Sequence, residues 1–454
     1  MPTISYPGPA APAFDTSVPV LVFKIGPNPI HHGTLAIIRS LGRAGVPVYA
    51  IVEDRFTPAA SSRYLARHFI RKFSESDRDS LMCQVLAISS QLGRPAVIIP
   101  ADDVGAVWIA ENAERLRPFF LFPRIDPALP GLLSNKRSLS ALCRKLGIPT
   151  PALSSPDSLD AVEKFASQAT FPVVVKADAR TIARGSRSVS LVHTREALLA
   201  IWRATPFPDG LAFQEYIPKH CAEDWIFQAY SNPAKGCLLS FTGRKQHSWP
   251  AFAGPTVLGV AASNAVLREQ SERLIKAIGY VGVMDLDYRF DKRDGQYKLL
   301  DFNPRVGANF RLFESRAAVD VVRALHLDLT GRKIPQEPQI EGRRVVVESQ
   351  YWLASLTCAV RGEMTFTAWL KSFCRPAEFA WLSADDRIPA FVAGARLLFR
   401  ICRTLLRRAF FRMRQPFVGR TRQFHACASG LRPAAEMDLP PDQLHCPTKR
   451  ATNA

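Results

Sequence analysis

Residues 281–305, VGVMDLDYRFDKRDGQYKLLDFNPR, decide the fold of this chain. Two strand-like runs flank Asp294-Gly295, a strong tight-turn signal, so they are predicted to pair as an antiparallel hairpin. Side chains on one face of a strand recur at every second residue. Asp285 and Asp287 therefore share one side of the first strand. Three polar residues share one side of the second strand: Asp301, Asn303 and Arg305.

The acidic side of this hairpin suits a metal and phosphate site. Clustered carboxylates repel one another, and Mg²⁺ that bridges phosphate oxygens would relieve that repulsion. Mg²⁺ usually takes one or two carboxylates, with phosphates and water completing its shell. The alternative interpretation is a solvated acidic hairpin in which Arg305 is a salt-bridge partner.

The same residues resemble a known signature. The spacing D-x₇-G followed by LLDFNPR looks like the ATP-grasp signature, which ends in acidic-x-Asn-x-Arg. The resemblance implies ATP and Mg²⁺ as cofactors, with Mn²⁺ as a substitute. It also implies that Asp287, Asp301 and Asn303 are metal ligands, and that Arg305 steadies phosphate and the acyl-phosphate transition state. Most members carry Glu at the position of Asp301, and Asp285 has no secure counterpart.

Two upstream lysines match phosphate-binding positions of that family. Lys136 opens a predicted helix, where an ordinary exposed lysine is an equal alternative. Lys176 ends the buried run FPVVVKAD, where a lysine needs an anionic partner or a path to water. ARGSRSVS, with Gly185 and Ser186, resembles the phosphate-covering loop, whose backbone amides cradle oxygens. A charged hairpin turn explains that segment equally well.

A hinge for adenine is expected next. Gln214, Glu215, Tyr216 and Ile217, followed by proline, resemble the segment whose backbone meets the base, and a plain edge strand is the alternative. Either Glu223 or Asp224 would accept hydrogen bonds from ribose hydroxyls. The glycine that usually follows the hinge proline is Lys219 here.

The N-terminal part predicts a doubly wound α/β domain. PVLVFKIG and PVYAIVED read as buried strands on either side of the amphipathic helix TLAIIRSLGRAG, and the strand PAVIIPADD continues the pattern. His31, His32 and Gly33 lie in the first strand-to-helix turn, where such folds present ligand-binding groups. A histidine in such a turn is often structural instead.

The expected fold class is therefore α/β and α+β. An N-terminal doubly wound parallel-sheet domain, the pre-ATP-grasp domain, precedes a two-lobed ATP-grasp fold. The predicted boundaries are a disordered tail at 1–17, the first domain at 18–133, the ATP-grasp domain at 134–330, a C-terminal extension at 331–386, a basic amphipathic helical region at 387–431 and a disordered tail at 432–454.

A closer resemblance covers about residues 18–330. FTGRKQHSWP with DFNPR, and GTLAIIRSLGRAGVPVYA with IIPADD, are similar to bacterial ATP-grasp carboxylate–amine ligases, a group that includes D-aspartate ligase. The resemblance implies ATP-dependent amide formation between a small carboxylate and an amine. It implies that Arg244 and Lys245 face the nucleotide and hold phosphate or substrate carboxylate, although both could be surface cations. A kinase that stops after phosphorylation is the rival activity.

The excess of basic residues is concentrated near the C-terminus. The formal net charge is +19, and residues 387–435 hold eleven arginines and no acidic residue. The spacing i, i+4, i+7, i+11 places four arginines on one helical stripe opposite apolar residues: Arg396, Arg400, Arg403 and Arg407. Such a helix could lie on an anionic membrane or pack on the catalytic domain. Nucleic-acid binding is less favoured, because aliphatic residues separate the arginines. A non-catalytic module built on this region is the rival class.

The remaining features predict a cytoplasmic enzyme, peripheral to the inner face of the membrane if the basic helix binds lipid. The nine cysteines are scattered singly, which favours reduced thiols. The first residues lack the basic start and apolar core of a signal peptide. No apolar run near the C-terminus approaches the roughly 20 residues that span a bilayer.

Overall fold

The computed structural model describes residues 12–177, 189–205, 210–249, 254–360, 367 and 378–414. Its contacts divide the chain into a unit that ends at Ala393 and a second unit that begins at Gly394. Within the described residues, no helix is long and apolar enough to cross a membrane.

The first domain is the predicted doubly wound layer. Its strands are β1 (Val20–Phe23), β2 (Val48–Val52), β3 (Leu65–Ile70), β4 (Ala96–Pro100) and β5 (Phe120–Leu121). Its helices are α1 (His32–Arg43), α2 (Arg78–Leu92), α3 (Asp103–Glu111) and α4 (Ala113–Leu116). The strand order is β3-β2-β1-β4-β5 and all pairs are parallel. β1 is buried throughout because helices cover both faces of such a sheet.

A topological switch point lies between β1 and β4. The chain builds outward from β1 in one direction and then returns to add β4 on the other side. In open α/β sheets, ligands bind at the carboxyl ends of the strands that flank this point. The ends of β1 and β4 therefore face the rest of the molecule as a crevice.

Two helices lead into a small antiparallel sheet. The helices are α5 (Leu129–Ser134) and α6 (Lys136–Lys145). The sheet consists of β6 (Leu153–Ser154), β7 (Val173–Ala177), β8 (Val189–Val192) and β9 (Leu211–Glu215), with α7 (Leu159–Gln168) and α8 (Arg195–Ala204). The order is β6-β9-β7-β8. Phe213, Val173 and Trp202 belong to the separate apolar core of this lobe.

The second lobe is a seven-stranded sheet in the order β14-β13-β10-β11-β12-β15-β16. Its strands are β10 (Ala222–Asn232), β11 (Gly236–Ser248), β12 (Thr256–Ala261), β13 (Gly282–Asp291), β14 (Gln296–Asn303), β15 (Arg344–Val346) and β16 (Glu378–Phe379). The remaining helices are α9 (Ala265–Ile278), α10 (Val321–Leu329), α11 (Glu348–Val360) and α12 (Ile388–Arg414). Residues after 330 thus add two strands to this sheet.

Candidate active site

The predicted hairpin is formed by β13 and β14, and a β-bulge sets its register. Asp287 lies opposite Asp301, and Asp285 lies opposite Asn303. Between Asp287 and Tyr288 the register shifts by one residue, because Tyr288 pairs with Leu299 and Leu300 is extra. Without the bulge, Asp301 would face the other side of the sheet. The bulge therefore brings the two carboxylates together.

Each of the three carboxylates on this face pairs with a cation from another part of the chain. The pairs are Asp287 with Lys245 on β11 at 2.7 Å, Asp301 with Lys136 on α6, and Asp285 with Arg305 after β14 at 3.3 Å. The Lys136 and Asp301 side chains are 40% and 39% exposed. Solvent reaches this pair, so the charges remain accessible to a ligand from the cleft.

Both predicted phosphate lysines reach the hairpin. Lys136 is the first residue of α6, whose N-terminus is capped by the side chain of Asn135. Burial and the nearby charge of Lys136 together lower the pKa of Lys176 on β7 to about 8, and the charge of Asp301 opposes this shift. Two lysines from different elements therefore lie around one carboxylate, and a phosphate group would relieve their repulsion.

Arg244 and Lys245 do not share an orientation, so only one of them lies on the face of Asp287. Lys245 contacts Asp287, and although burial disfavours its charged form, Asp287 raises its pKa. Arg244 points to the opposite face, since neighbours on a strand alternate. There it lies 5.5 Å from the ring centre of Trp225 and 3.1 Å from Glu223.

Arg305 joins the hairpin to the first domain. Its Nε lies 3.2 Å from Oδ1 of Asp103, the first residue of α3. Burial raises the pKa of Asp103, and the charge of Arg305 opposes that shift. The preceding Asp102 caps α3 and accepts hydrogen bonds from the backbone amides of Ile25 and Gly26 at the end of β1. Asp102 thus contacts the loop after β1, and Asp103 contacts Arg305 after the hairpin, so the switch point and the hairpin lie side by side.

Asp285, to which the sequence assigned no role, lies on the same face of the hairpin as Asp287 and opposite Asn303. Gln228 Nε2 donates to its Oδ1 at 2.9 Å, and Asn303 Nδ2 donates to its backbone oxygen at 3.0 Å. Burial raises the pKa of Asp285, Asp287 raises it further, and Arg305 opposes both. A Cβ on Gly307 would lie 2.6 Å from the Asp285 carboxyl carbon, so this loop passes the site only as glycine.

The predicted hinge consists of the last two residues of β9, Gln214 and Glu215, and the next two residues, Tyr216 and Ile217. The Glu215 amide donates to the Ala152 oxygen at 2.8 Å, and its carboxylate pairs with Arg293 and Lys298. Ile217 is buried, whereas Gln214 and Tyr216 are partly exposed. Both the carboxylate and the backbone amide of Glu215 are therefore engaged within this part of the chain.

The two ribose candidates lie on opposite faces of β10. Asp224 receives two hydrogen bonds from Arg289, at 2.7 and 3.1 Å, on the face of Asp287. Glu223 pairs with Lys292 at 3.4 Å and with Arg244 on the other face. The sequence could not make this distinction, because it did not fix the register of β10 against β13.

The histidines of the first turn have structural contacts. His31 Nδ1 accepts from the Thr34 amide at 3.1 Å and caps α1, and His32 Nε2 lies 3.0 Å from Asn309 Oδ1. Burial lowers the pKa of His31 to about 3 and also lowers that of His32. Both are neutral near pH 7. The predicted phosphate loop with Gly185 and Ser186 lies outside the described residues.

Solved structures share this architecture. N5-carboxyaminoimidazole synthetase from Staphylococcus aureus has a TM-score of 0.54 at 13% identity, covering 74% of this chain and 83% of that one. A biotin carboxylase complex with β,γ-ATP from Campylobacter jejuni has a TM-score of 0.53 at 15% identity, covering 72% and 74%. The chain has the ATP-grasp fold, as the hairpin signature predicted.

Sequence relatives agree with this class. D-aspartate ligase of Enterococcus faecium is 23% identical over 277 residues, which are 57% of this chain and 65% of that protein. Biotin carboxylase of Allochromatium vinosum is 22% identical over 273 residues, 55% of this chain and 59% of that protein. These matches span less than two thirds of either relative. No family model matches the chain. The predicted resemblance to ATP-grasp ligases is confirmed.

Proposed function

We propose that this chain is an ATP- and Mg²⁺-dependent ligase that joins a carboxylate to an amine. The observation that carries the proposal is the pairing of Asp287 with Asp301 across the bulged hairpin, with Lys136, Lys176 and Lys245 around them. Two carboxylates and several ammonium groups at one accessible face match a nucleotide triphosphate and its metal.

The donor set fits Mg²⁺. Asp287, Asp301 and the amide oxygen of Asn303 would hold it, and all three are hard oxygen donors. Among the described residues no group of three His, Cys, Asp or Glu side chains could hold a metal by itself. That suits an ion that usually completes its shell with phosphate and water. When bound, Mg²⁺ or Mn²⁺ neutralises charge on the β- and γ-phosphates.

The other nucleotide-binding roles are proposed for residues that surround the hairpin. Lys136 and Lys176 would hold phosphate oxygens, with backbone amides near Gly185 and Ser186 covering them. The backbone of Gln214 to Ile217 would meet adenine. Asp224 shares the face of Asp287, which favours it over Glu223 as the ribose partner. Lys245 would contact phosphate once a metal ion replaces it as the partner of Asp287. Arg244 would act indirectly, through its contacts with Glu223 and Trp225.

The reaction needs positioning and charge stabilisation and no covalent nucleophile. A carboxylate oxygen of the acid attacks the γ-phosphorus, and the bond to the β,γ-bridging oxygen breaks to leave ADP. Arg305 stabilises the charge that develops on the acyl phosphate. The amine then attacks the acyl carbon, the C–O bond breaks, phosphate leaves, and the amine loses a proton to water or phosphate.

A metabolite screen for ADP release tests this proposal. Pools of carboxylic acids are assayed with and without pooled amines, with Asp301→Asn as the blank. ADP release that needs both an acid and an amine supports a ligase. ADP release and a stable phosphorylated product without any amine would instead establish the rival kinase. Absence of ATP binding would favour a non-catalytic module.

We also propose that the enzyme works in the cytoplasm and contacts the anionic inner face of the membrane through α12. Helix α12 begins with exposed apolar side chains, and Phe391, Leu398 and Phe399 are 74%, 63% and 69% exposed. Basic amphipathic helices of this composition lie in the interface of anionic bilayers. The nine cysteines are scattered singly along the sequence, in keeping with a reducing compartment.

Vesicle sedimentation tests the membrane contact. Full-length protein is expected to bind phosphatidylcholine vesicles with a quarter phosphatidylglycerol, to bind pure phosphatidylcholine weakly, and to lose affinity as salt rises. Arg403→Glu should weaken binding roughly fivefold or more, whereas Arg203→Glu on exposed α8 should not. Equal binding of both variants, or a preference for RNA over vesicles, would overturn the proposal.

A further inference from the structure

A cleft lies beside Arg305, and its lining includes none of the residues assigned to adenine, ribose or metal. It encloses about 600 Å³ of empty space, its open mouth included. The end of β4, the helices α3 and α4, the start of β13 and α10 border it, together with the loop at Pro304 to Val306. It thus lies at the carboxyl end of β4, beside the switch point where α/β folds bind ligands.

The walls of this cleft are apolar. Three alanines at helical spacing face it from α3 and α4: Ala106, Ala110 and Ala113. Ile109, Phe122 and Val283 contribute further apolar surface. The hydroxyl of Tyr280 donates to the Val283 backbone oxygen at 2.9 Å, so it is already engaged. Small side chains on the helices leave room that a larger apolar group would fill.

Two basic side chains belong to the lining of the cleft, Arg305 and Arg117, and Arg117 lies over the ring of Phe122. The ion pairs of Arg305 are long, 3.2 Å to Asp103 and 3.3 Å to Asp285. Charge-assisted hydrogen bonds of optimal geometry measure about 2.7–2.9 Å, as in the 2.7 Å contact of Arg289 with Asp224. Oδ1 of Asp103 is buried and accepts no hydrogen bond. Arg305 is therefore held by two long ion pairs and by a hydrogen bond that its Nη1 donates to the Val306 oxygen at 3.2 Å.

We propose that the cleft receives the apolar side chain of the acid substrate, while Arg305 binds the carboxylate that is to be activated. The inference rests on the proposed ligase function and narrows its substrate class. Apart from two arginines, the lining consists almost entirely of aliphatic and aromatic side chains, so the cleft suits an acid with an aliphatic or aromatic group. A compact dicarboxylic acid such as aspartate would leave these walls uncovered.

Calorimetric titration of the MgADP-loaded enzyme tests the proposal with octanoate, octanol, butyrate and aspartate as probes. Each methylene buried should add about fourfold in affinity, so octanoate should bind at least tenfold more tightly than butyrate and aspartate. Arg305→Lys should weaken octanoate and leave octanol unchanged. Octanoate that binds no more tightly than butyrate would overturn the proposal.

A cavity-filling variant locates the site. Ala110→Trp should reduce octanoate affinity at least tenfold, whereas Ala200→Trp on exposed α8 should have no effect. Unchanged MgADP affinity shows that each variant is folded, and the milder Ala113→Leu serves if Ala110→Trp fails that check. Equal effects of Ala110→Trp and Ala200→Trp would contradict the assignment.

The ADP-release assay separates the two proposals. Amine-dependent ADP release with aspartate or butyrate, but not with octanoate, would leave the ligase standing and refute the apolar substrate class. Octanoate binding that Ala110→Trp abolishes, with no acid or amine supporting ADP release, would refute the ligase and with it the role of the cleft as a substrate site.

Discussion

Two clusters of ion pairs in this molecule consist of the same types of residue and differ in solvent exposure. In the hairpin cluster, defined by Asp287, Asp301, Lys136 and Lys245, each pair is partly exposed, up to 40% for Lys136. In the cluster around Arg311, by contrast, the Arg311 side chain is 8% exposed and that of Asp320 is fully buried. The first cluster is accessible to solvent, whereas the second is packed among α1, the start of α10 and β16.

Within the buried cluster, Asp320 has many partners. Asp320 accepts hydrogen bonds from Ser40, from Arg311 and from two backbone amides of α10. Although burial alone would raise the pKa of Asp320, Arg311 and Arg323 hold it below its usual value. A shared preference for ion pairs therefore does not define a site. Solvent exposure distinguishes the candidate ligand site from the structural cluster.

The largest expected effect is on catalysis at the hairpin. Asp301→Asn removes a proposed metal ligand and should lower kcat/KM for ATP by about 10²–10³-fold, the cost typical of losing one group that stabilises transition-state charge. Steady-state ADP release measures it. Asp294→Asn, in the turn of the same hairpin, is the matched control and should retain activity.

The opposite cluster should respond in stability instead. Asp320→Asn keeps a helix-capping side chain but removes the fully buried carboxylate among the three that pair with Arg311. We expect a loss of about 3–5 kcal/mol in the free energy of unfolding, measured by urea denaturation. Whatever protein remains folded should bind ATP normally. A stable Asp320→Asn enzyme with impaired ATP binding would break the distinction between the two clusters.

A smaller effect should separate two adjacent cations. Lys245→Met should weaken ATP binding by roughly tenfold, since charge-assisted contacts contribute about 1.5–3 kcal/mol. Arg244→Met removes a partly exposed pair on the other face, which is typically worth less than about 1 kcal/mol. Titration with ATP should therefore show at most a few-fold change for Arg244→Met. Equal losses would show that the strand orientation does not decide function.

The smallest effect should come from Asp103, which holds Arg305 without contacting nucleotide. Asp103→Asn keeps a polar group beside Arg305 and should raise KM for the acid several-fold while leaving ATP affinity intact. Separate KM measurements for the two substrates check this. A change confined to ATP would contradict the placement of Arg305 toward the acid.

The sequence predicted much of this fold because period and turn chemistry are local. The buried runs of β1 and β4 and the Asp294-Gly295 turn needed only neighbouring residues to be recognised. The bulge at Leu300 was not predictable, because one extra residue in a ladder is defined by the partner strand. The contact of Asp103 with Arg305 likewise depends on how two domains meet. IIPADD at a strand end was its only signal.

Site residues were predicted by type more securely than by orientation. Lys136 and Lys176 were predicted because both match phosphate-binding positions of the family, and Lys176 also because a lysine that ends a buried run needs an anionic partner. The opposite orientations of Arg244 and Lys245 were not predicted, because a resemblance carries positions but no register. Asp285 gained its surroundings only from Gln228 and Gly307, which lie far from it in sequence.

A manganese-binding measurement distinguishes a metal–nucleotide site from a structural ion-pair cluster. Mn²⁺ replaces Mg²⁺, and electron paramagnetic resonance counts free Mn²⁺ with ATP alone and with ATP and enzyme together. We expect that wild-type protein and Asp294→Asn remove more free Mn²⁺ than ATP alone does, and that Asp287→Asn and Asp301→Asn do not. Equal Mn²⁺ and ATP binding in all four proteins would contradict the assignment of the hairpin as the metal–nucleotide site.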